Sequence, residues 1–179
     1  YWQFLGLVAL IWAGAVAVGA SKSLAFNGAS ANSAVDNLTV AENLGTHLET
    51  AGDVVVRAVD DSHARTLSLG VAGSAGVAGA AAITVNVHAS QTRATLRGNP
   101  DDPNARVDAR NVVVDADQRA QIGTIAVGVG GAKAAAVAGS IAVNVIANET
   151  IAEIDGGARV DARHNVLVRA RERADIASL

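Results

Sequence analysis

The feature that most constrains the fold is a repeat. A short segment that starts with Asp or Asn and continues with three aliphatic residues occurs three times. The copies are Asp53–Ala58, Asn111–Ala116 and Asn165–Ala170, so their spacing is nearly constant. Self-similarity at a near-regular period is typical of architectures in which each unit packs on its neighbours along the chain. The repeat therefore predicts a stack of similar units.

Segments that follow each copy keep the same phase. Ala82–Val87 matches Ser140–Val145, and Ala105–Arg110 matches Ala158–Arg163. The spacing changes because Arg97–Asn104 carries two prolines where the later copy has only a short Asp-Gly-Gly turn. Insertions that fall between periodic segments are what stacked repeats tolerate.

Alternation within the repeat indicates strands. In Val112–Asp117 one set of alternate positions reads Val, Val, Ala and the other Val, Asp, Asp, the pattern of a half-buried strand. Ile141–Ile146 has Ile, Val and Val on one face and Ala, Asn and Ile on the other, which predicts a strand covered on both sides. Short strands separated by Gly, Asn and Asp are expected every eight to twelve residues or so, with two or three coils per repeat. The predicted fold is all-β, a parallel β-helix or β-solenoid built from repeats of about 54–58 residues.

Composition supports closely packed layers. Half of the 179 residues are apolar, but only 3% are aromatic, and there are 18 Gly. A helix-containing fold is the alternative, because Ala132–Ala138 has high helix propensity. The equivalent stretch Gly73–Ala82 argues against it, since its glycines at 73, 76 and 79 would each weaken a helix by about 1 kcal/mol.

The N-terminal stretch Tyr1–Ser21 carries no charge. Three interpretations fit it: buried strands, a membrane or interfacial segment, or a secretory-signal remnant that ends in the small residues Ala13–Ala17 but has no basic n-region. Residues 1–50 are predicted to form a degenerate or capping repeat, and residues 51–179 a single continuous repeat domain. The chain has no Met, which predicts a piece of a longer protein or a processed product.

Charged residues recur at equivalent outward positions of the repeat. Arg57, Asp115 and Arg169 share one position, and Asp117 and Arg171 share another with Val59. Repeats stacked one coil apart, about 4.8 Å, would align them in an alternating ladder. With several coils between them solvent would screen the charges, so a solvated face is the expectation.

No combination of residues predicts an active site. Asp60, Ser62 and His63 are neighbours in sequence, whereas catalytic triads join distant segments, so a polar turn is expected. The phosphate-loop ending is missing from Gly128–Lys133. Asn86 and Asn144 share a repeat position, where they form either an inward hydrogen-bonded ladder or solvated side chains. We predict no catalytic and no cofactor-binding residue.

Metal binding has equally little support. The four histidines His47, His63, His88 and His164 have no ligand spacing. Calcium could bind an acidic stretch, although the calcium-binding nonapeptide motif is absent. That stretch comprises Asp101, Asp102, Asp108, Asp115 and Asp117. We predict no metal ligand and no cofactor.

The repeat resembles that of giant bacterial exoproteins, the filamentous-haemagglutinin-like and leukotoxin-type adhesins exported by autotransporter or two-partner routes. The resemblance is carried by Ala138–Ile154, Gly157–Ala162 and Asn165–Ala170, and extends over about residues 67–179. It implies a right-handed parallel β-helix shaft, an extracellular or outer-surface location and a role in adhesion or in a biofilm matrix. The resemblance carries over no catalytic residue.

These observations predict a non-enzymatic, structural or adhesive shaft segment of a secreted surface protein. Its expected partners are further copies, forming extracellular fibres, or a ligand on a host or neighbouring cell. Nucleic acid is not an expected partner, because no basic stripe with interleaved aromatics occurs. The alternatives are a carbohydrate-active enzyme on a β-helix, and a membrane-associated or pore-forming protein acting through residues 1–20.

Overall fold

The computed structural model describes residues 2–45, 47–102 and 104–179, with the backbone alone for residues 2–11. The described residues form strands and turns, with no helix among them. The strands are β1 (Trp2–Ser21), β2 (Leu24–Leu44), β3 (Leu48–Glu49), β4 (Val54–Ser74), β5 (Val77–Arg97), β6 (Arg106–Ala132), β7 (Ala135–Asp155) and β8 (Arg159–Ser178). The helix alternative for Ala132–Ala138 is therefore wrong, since β6 ends and β7 begins within that stretch.

All strand pairs are parallel, and they form two sheets. Sheet A contains β1, β4, β6 and β8 in that order, with the short β3 also paired to β6. Sheet B contains β2, β5 and β7. Successive long strands alternate between the two sheets, so the chain crosses from one sheet to the other after each of them.

Equivalent residues of the repeat are direct neighbours in sheet A. Val54 pairs with Val112, which pairs with Val166. A repeat is therefore one layer thick, and the expectation of two or three coils per repeat is wrong. The difference arises because the strands other than β3 are long, about 20 residues or more, so two of them use up the whole repeat.

The expected short strands are also not found. Asn and Asp, interpreted from the sequence as strand breaks, lie inside the long strands, with side chains that point alternately inward and outward. Along β4 buried and partly exposed residues alternate from Val54 to Ala72. Parallel neighbours satisfy the backbone on both sides of β4, so polar side chains do not end the strand.

The two sheets lie face to face, and their inner side chains form the core. The largest apolar cluster is built from Ala, Val and Leu. Its buried members are Ala41, Val54, Val56, Ala58, Ala94, Leu96, Val107, Ala109, Val112, Val114 and Ala116. At the opposite end of the strands the sheets approach so closely that a Cβ at Gly70 would overlap the carbonyl oxygen of Ala81. Small residues are therefore required where the sheets converge.

The uncharged N-terminal stretch is a strand of sheet A. β1 pairs with β4 without a break from Trp2 opposite Val55 to Ser21 opposite Ser74. Among the described residues, no helix is both long enough and apolar enough to cross a bilayer.

The loops between strands differ in length in the way that the sequence predicts. β5 and β6 are joined by the longer proline-containing segment 98–105, whereas β7 and β8 are joined by the Asp-Gly-Gly turn, with Gly156 and Gly157 both at positive φ. Pro103 lies outside the described residues.

Candidate functional surfaces

A ladder of polar side chains runs through the core, across the strands. Asn86 is fully buried, and its Nδ2 lies 2.7 Å from Oδ1 of Asn144 in the next layer. The same nitrogen lies 2.9 Å from Oγ1 of Thr66 and 2.8 Å from Oγ1 of Thr124, both on the facing sheet. The hydroxyl of Ser33 donates to Asn86 Oδ1 at 2.7 Å. Of the two orientations left open by the sequence, the structure shows the inward one.

The Asp60–His63 segment lies within β4 and is not a turn. Asp60 and Ser62 point inward, where both are buried and the Ser62 hydroxyl donates to Asp60 Oδ1. On the outer face, Oδ1 of Asp61 lies 3.7 Å from Nδ1 of His63. Because alternate residues of a strand face opposite sides, the acid–hydroxyl pair and the imidazole are separated by the sheet. The expectation of a polar turn is wrong, because Asn37 of β2 donates to Ser62 from across the core and holds the segment in the strand.

An alternating charge ladder crosses the outer face of sheet A. Asp115 is 3% exposed at its side chain and receives two bonds from Arg169, Nε to Oδ1 at 2.9 Å and Nη2 to Oδ2 at 3.0 Å. Arg57 contacts the same carboxylate from the other side at 3.3 Å. Next to it, Arg171 contacts Asp117 at 2.7 Å. The solvated face expected from the sequence is thus replaced by a ladder, because equivalent residues lie in adjacent strands.

These contacts change the ionisation of the groups that form them. The bidentate hydrogen bond from Arg169 lowers the pKa of Asp115, and the Arg171 and Arg57 charges act in the same direction. The pKa of Arg169 is raised in return. A similar contact lowers the pKa of Asp53, chiefly through the hydrogen bond from Arg110 and then through that from Asn111.

The acidic residues considered for calcium are dispersed. Asp115 and Asp117 are engaged by arginines, and Oδ2 of Asp108 lies 3.9 Å from Nη2 of Arg106. Asp101 and Asp102 lie in the loop between β5 and β6. Within the residues that the structure describes, no group of three His, Asp or Glu side chains is arranged to hold a metal ion.

Over the first part of its strands, the outer face of sheet B is largely apolar and exposed. On β5, Ile83, Val85 and Val87 are 42%, 37% and 40% exposed. Their neighbours on β7 are also exposed, Ile141 at 59%, Val143 at 44% and Val145 at 43%. Ile141–Ile146, predicted to be covered on both faces, is thus uncovered on its outer face by the described part of the chain.

We call this surface the sheet B face and define it by the outward residues of three strands. They are Leu24, Phe26, Gly28, Ser30, Asn32 and Ala34 on β2; Val77, Gly79, Ala81, Ile83, Val85, Val87 and Ala89 on β5; and Ala135, Val137, Gly139, Ile141, Val143, Val145 and Ala147 on β7.

Sheet A carries a smaller apolar groove of about 410 Å³. It opens at Gly123, because glycine has no side chain to fill the space between Trp12, Leu67 and Ile125. Arg65 forms part of its wall. The Trp12 side chain is 69% exposed, so the groove is wide and open to solvent.

Comparison of the chain with protein-family models, curated proteins and solved structures finds no match. What the chain can do must therefore be inferred from its own surfaces. These comprise an inward polar ladder, an outward charge ladder and a broad apolar face. Sequence reasoning missed the apolar face as a surface, because a strand that is apolar on both sides gives the same pattern whether its outer side is covered or open.

Proposed function

We propose that the chain is a structural and adhesive shaft segment of a large secreted bacterial surface protein, similar to the filamentous-haemagglutinin-like adhesins. In this proposal the two sheets are the faces of a right-handed parallel β-solenoid, and each turn of the solenoid is one repeat. The role of such a segment is mechanical, because a stack of similar turns spans distance with a fixed cross-section.

The observation that carries the proposal is the register between layers, which is continuous in four of the five pairs of long strands and shifts only between β6 and β8, at Ala109 to Asn111. β4 pairs with β6 over the whole length of β4, and β5 pairs with β7 from end to end. Each layer therefore repeats the backbone of the one below it, which is the condition for a stack that can be extended by adding repeats. The core polar ladder and the outer charge ladder both follow this stacking direction.

The chemistry of the surface also favours a mechanical role. The outward acids of β6 are paired with arginines, and in the core the buried amide of Asn86 bonds the hydroxyls of Thr66 and Thr124 and the amide of Asn144. A hydrolase or lyase would need acids or bases in an open groove at catalytic distances. The groove at Trp12 is lined mainly by apolar side chains, and its one ionisable side chain is Arg65.

Surface location is tested by labelling intact source cells with an antibody raised against residues 1–179. We expect labelling without permeabilisation, and digestion of the epitope by a protease added outside the cells. An antibody to a cytoplasmic protein is the control. Labelling that appears only after permeabilisation would contradict the proposal.

Rigidity is tested by limited proteolysis of the purified chain. We expect early cleavage in the loop at residues 98–105, followed by resistant fragments, because the strands on either side are paired throughout. Rapid cleavage inside β4 or β5 would contradict a rigid stack.

A further inference from the structure

The sheet B face, as defined above, contains no charged side chain, because the charged outward residues of its strands, such as Asp36 and Glu149, lie beyond its end. Three strands spaced about 4.8 Å apart, each running for about 12 residues at about 3.3 Å per residue, cover about 600 Å². The largest apolar patch of an ordinary monomer is about 300–600 Å², and a stable interface buries at least about 1,000 Å² in total from both partners. Two copies of this face brought together would reach that total.

Charges of opposite sign lie at the two ends of this face. Lys22 and Lys133, the two lysines of the chain, occupy the turns just before β2 and β7. Asp36 on β2 and Glu149 on β7 follow the other end of the face. All four side chains are exposed, and no ion pair engages them within the described residues. Each outer layer thus carries a positive charge at one end and a negative charge at the other.

We propose that two copies of this chain pack through the sheet B face, with their strands antiparallel across the interface. The two-fold axis runs along the stacking direction, midway between the facing sheets of the two copies. Each β2 then faces the partner's β2, and Lys22 of one copy lies over the Asp36 position of the other. By the same operation Lys133 lies over Ala147 of the other copy, two residues or about 6.6 Å from Glu149 on the same outward face, a distance that the lysine side chain can span. A parallel arrangement would instead place lysine over lysine, which is repulsive.

Side-chain sizes match in the same alignment. With Lys22 placed over Asp36, Ile83 of one copy faces Ala81 of the other, and Ile141 faces Gly139. A shallow depression of about 460 Å³ lies at this point, lined by Phe26, Gly28, Ala81 and Val137 among others. A Cβ added at Gly139 would meet no atom within 4 Å, so the space beside it is open. At these central positions large residues therefore meet small ones, whereas Val87 faces Val77 and Val143 faces Val137 on either side, all at the spacing of about 10 Å between packed sheets.

The pairing deepens the proposed function, because paired shafts would form a lateral fibre. The formation of a fibre rests on the proposed shaft function, whereas the pairing of two copies does not. Cell labelling and proteolysis test the shaft, whereas the association state tests the pairing. Either can therefore fail while the other holds.

Sedimentation of the purified chain over a range of concentrations tests the pairing. We expect a monomer–dimer equilibrium that Ile83→Lys weakens about 100-fold or more, because the substitution buries an unpaired ammonium at the centre of the interface. Ile125→Lys is the matched control, since Ile125 is 43% exposed on sheet A and Ile83 is 42% exposed on sheet B. The control should dimerise like the wild type. Circular dichroism checks that both variants keep the β-sheet spectrum.

Charge reversal tests the antiparallel orientation. We expect that K22E/K133E alone and D36K/E149K alone each weaken dimerisation by roughly tenfold, since exposed ion pairs contribute up to about 1 kcal/mol each. A 1:1 mixture of these two variants should recover wild-type affinity, because every facing pair is then of opposite sign. Recovery in the mixture would support the proposed two-fold axis.

Three results would overturn the proposal. One is a wild-type chain that stays monomeric at high concentration. Another is an Ile83→Lys variant that associates as strongly as Ile125→Lys. The third is a mixture of the charge variants that stays as weak as its components. Sedimentation of the chain with vesicles of phosphatidylcholine and phosphatidylglycerol, abolished by Ile83→Lys, would instead assign the face to a lipid surface.

Discussion

At the scale of single residues, the polar side chains of the core specify the register between neighbouring strands. Asn86 bonds residues on its own sheet and on the facing sheet, so it connects neighbouring layers as well as the two sheets. Buried amides must keep such partners, because an unmade bond in the interior costs about 1–3 kcal/mol. A stack held only by Ala and Val could slide by two positions and still bury its apolar side chains. The polar ladder makes such a shift costly.

Replacing Asn86 by Ala should lower the free energy of unfolding by about 2–3 kcal/mol, because it removes the bonds that Ser33, Thr124 and Asn144 make to its amide. Urea unfolding measures the change. Gln121→Ala is the control, an exposed outward position on β6 that should change stability by less than about 0.5 kcal/mol. Equal unfolding midpoints for the two variants would show that the ladder does not stabilise the fold.

Replacing Asp115 by Asn should cost about 2 kcal/mol at pH 7, because it removes charge-assisted bonds from Arg169 at a buried carboxylate. The folded pKa of Asp115 is lowered, so its stabilisation is complete above the unfolded value of about 3.9 and is lost as the pH falls through the folded pKa. The difference between variant and wild type should therefore shrink below about pH 4.

Unfolding measured from neutral pH down to strongly acidic pH checks that dependence. Asp101→Asn, at an exposed loop position, is the control and should follow the wild type at every pH. A difference between Asp115→Asn and wild type that persists undiminished at the lowest pH would mean that the charge of Asp115 is not its cause.

At the scale of elements, the close approach of the two sheets determines which positions of the long strands must be glycine. Gly70 and Gly128 are neighbours in sheet A, and a Cβ at either would overlap the carbonyl oxygen of the facing strand, at Ala81 and Gly139. Gly73 and Gly131 are also neighbours in sheet A, yet a Cβ at either would meet nothing within 4 Å. Glycine is thus a packing requirement at the first pair of positions and not at the second.

This contrast gives a prediction with an internal control. Gly70→Ala and Gly128→Ala should each destabilise the chain by about 1–3 kcal/mol, because the sheets must separate to admit the methyl group. Gly73→Ala and Gly131→Ala should be neutral or slightly stabilising, since alanine restricts the unfolded chain. Thermal unfolding of the four variants measures this. Similar losses at all four positions would mean that strand propensity, and not sheet spacing, determines stability.

At the scale of the whole molecule, the exposed surface is unusually large. The chain exposes 9477 Å², whereas a compact monomer of 17.9 kDa exposes about 8,000 Å². Both sheets are single layers of three or four long strands, so much of each strand lies on an outer face or at a sheet edge. Such a surface, with apolar side chains over much of the outer face of sheet B, favours association over a solitary globule.

The shape can be measured directly in dilute solution. Strands of about 21 residues at about 3.3 Å per residue predict a longest dimension of about 70 Å by small-angle X-ray scattering. Ile83→Lys provides a control for association at the concentrations used. A radius of gyration of about 16 Å, which is the value for a compact domain of this length, would contradict the layered arrangement.

The sequence was sufficient for an all-β fold of parallel strands and for the alignment of the layers. Val54, Val112 and Val166 align by their local pattern, and they are neighbours in sheet A. The loop at Arg97–Asn104 follows from its prolines. The predicted number of layers per repeat was wrong because inward Asn and Asp look like strand breaks until partners across the core are known. The charge ladder was not predicted for the same reason, since the charges lie in contact only when one repeat makes one layer.

The sequence by itself therefore determined the periodic features of the fold. These are which residues are equivalent, which residues alternate between the two faces of a strand, and that equivalent residues stack. These follow from chemistry within a few residues of each position. Only the tertiary structure decided that one repeat makes one layer, that Asn86 and Asn144 point inward, and that Ile83 and Ile141 lie on an open face. Each of these depends on which distant strand faces a given side chain, and no local pattern contains that information.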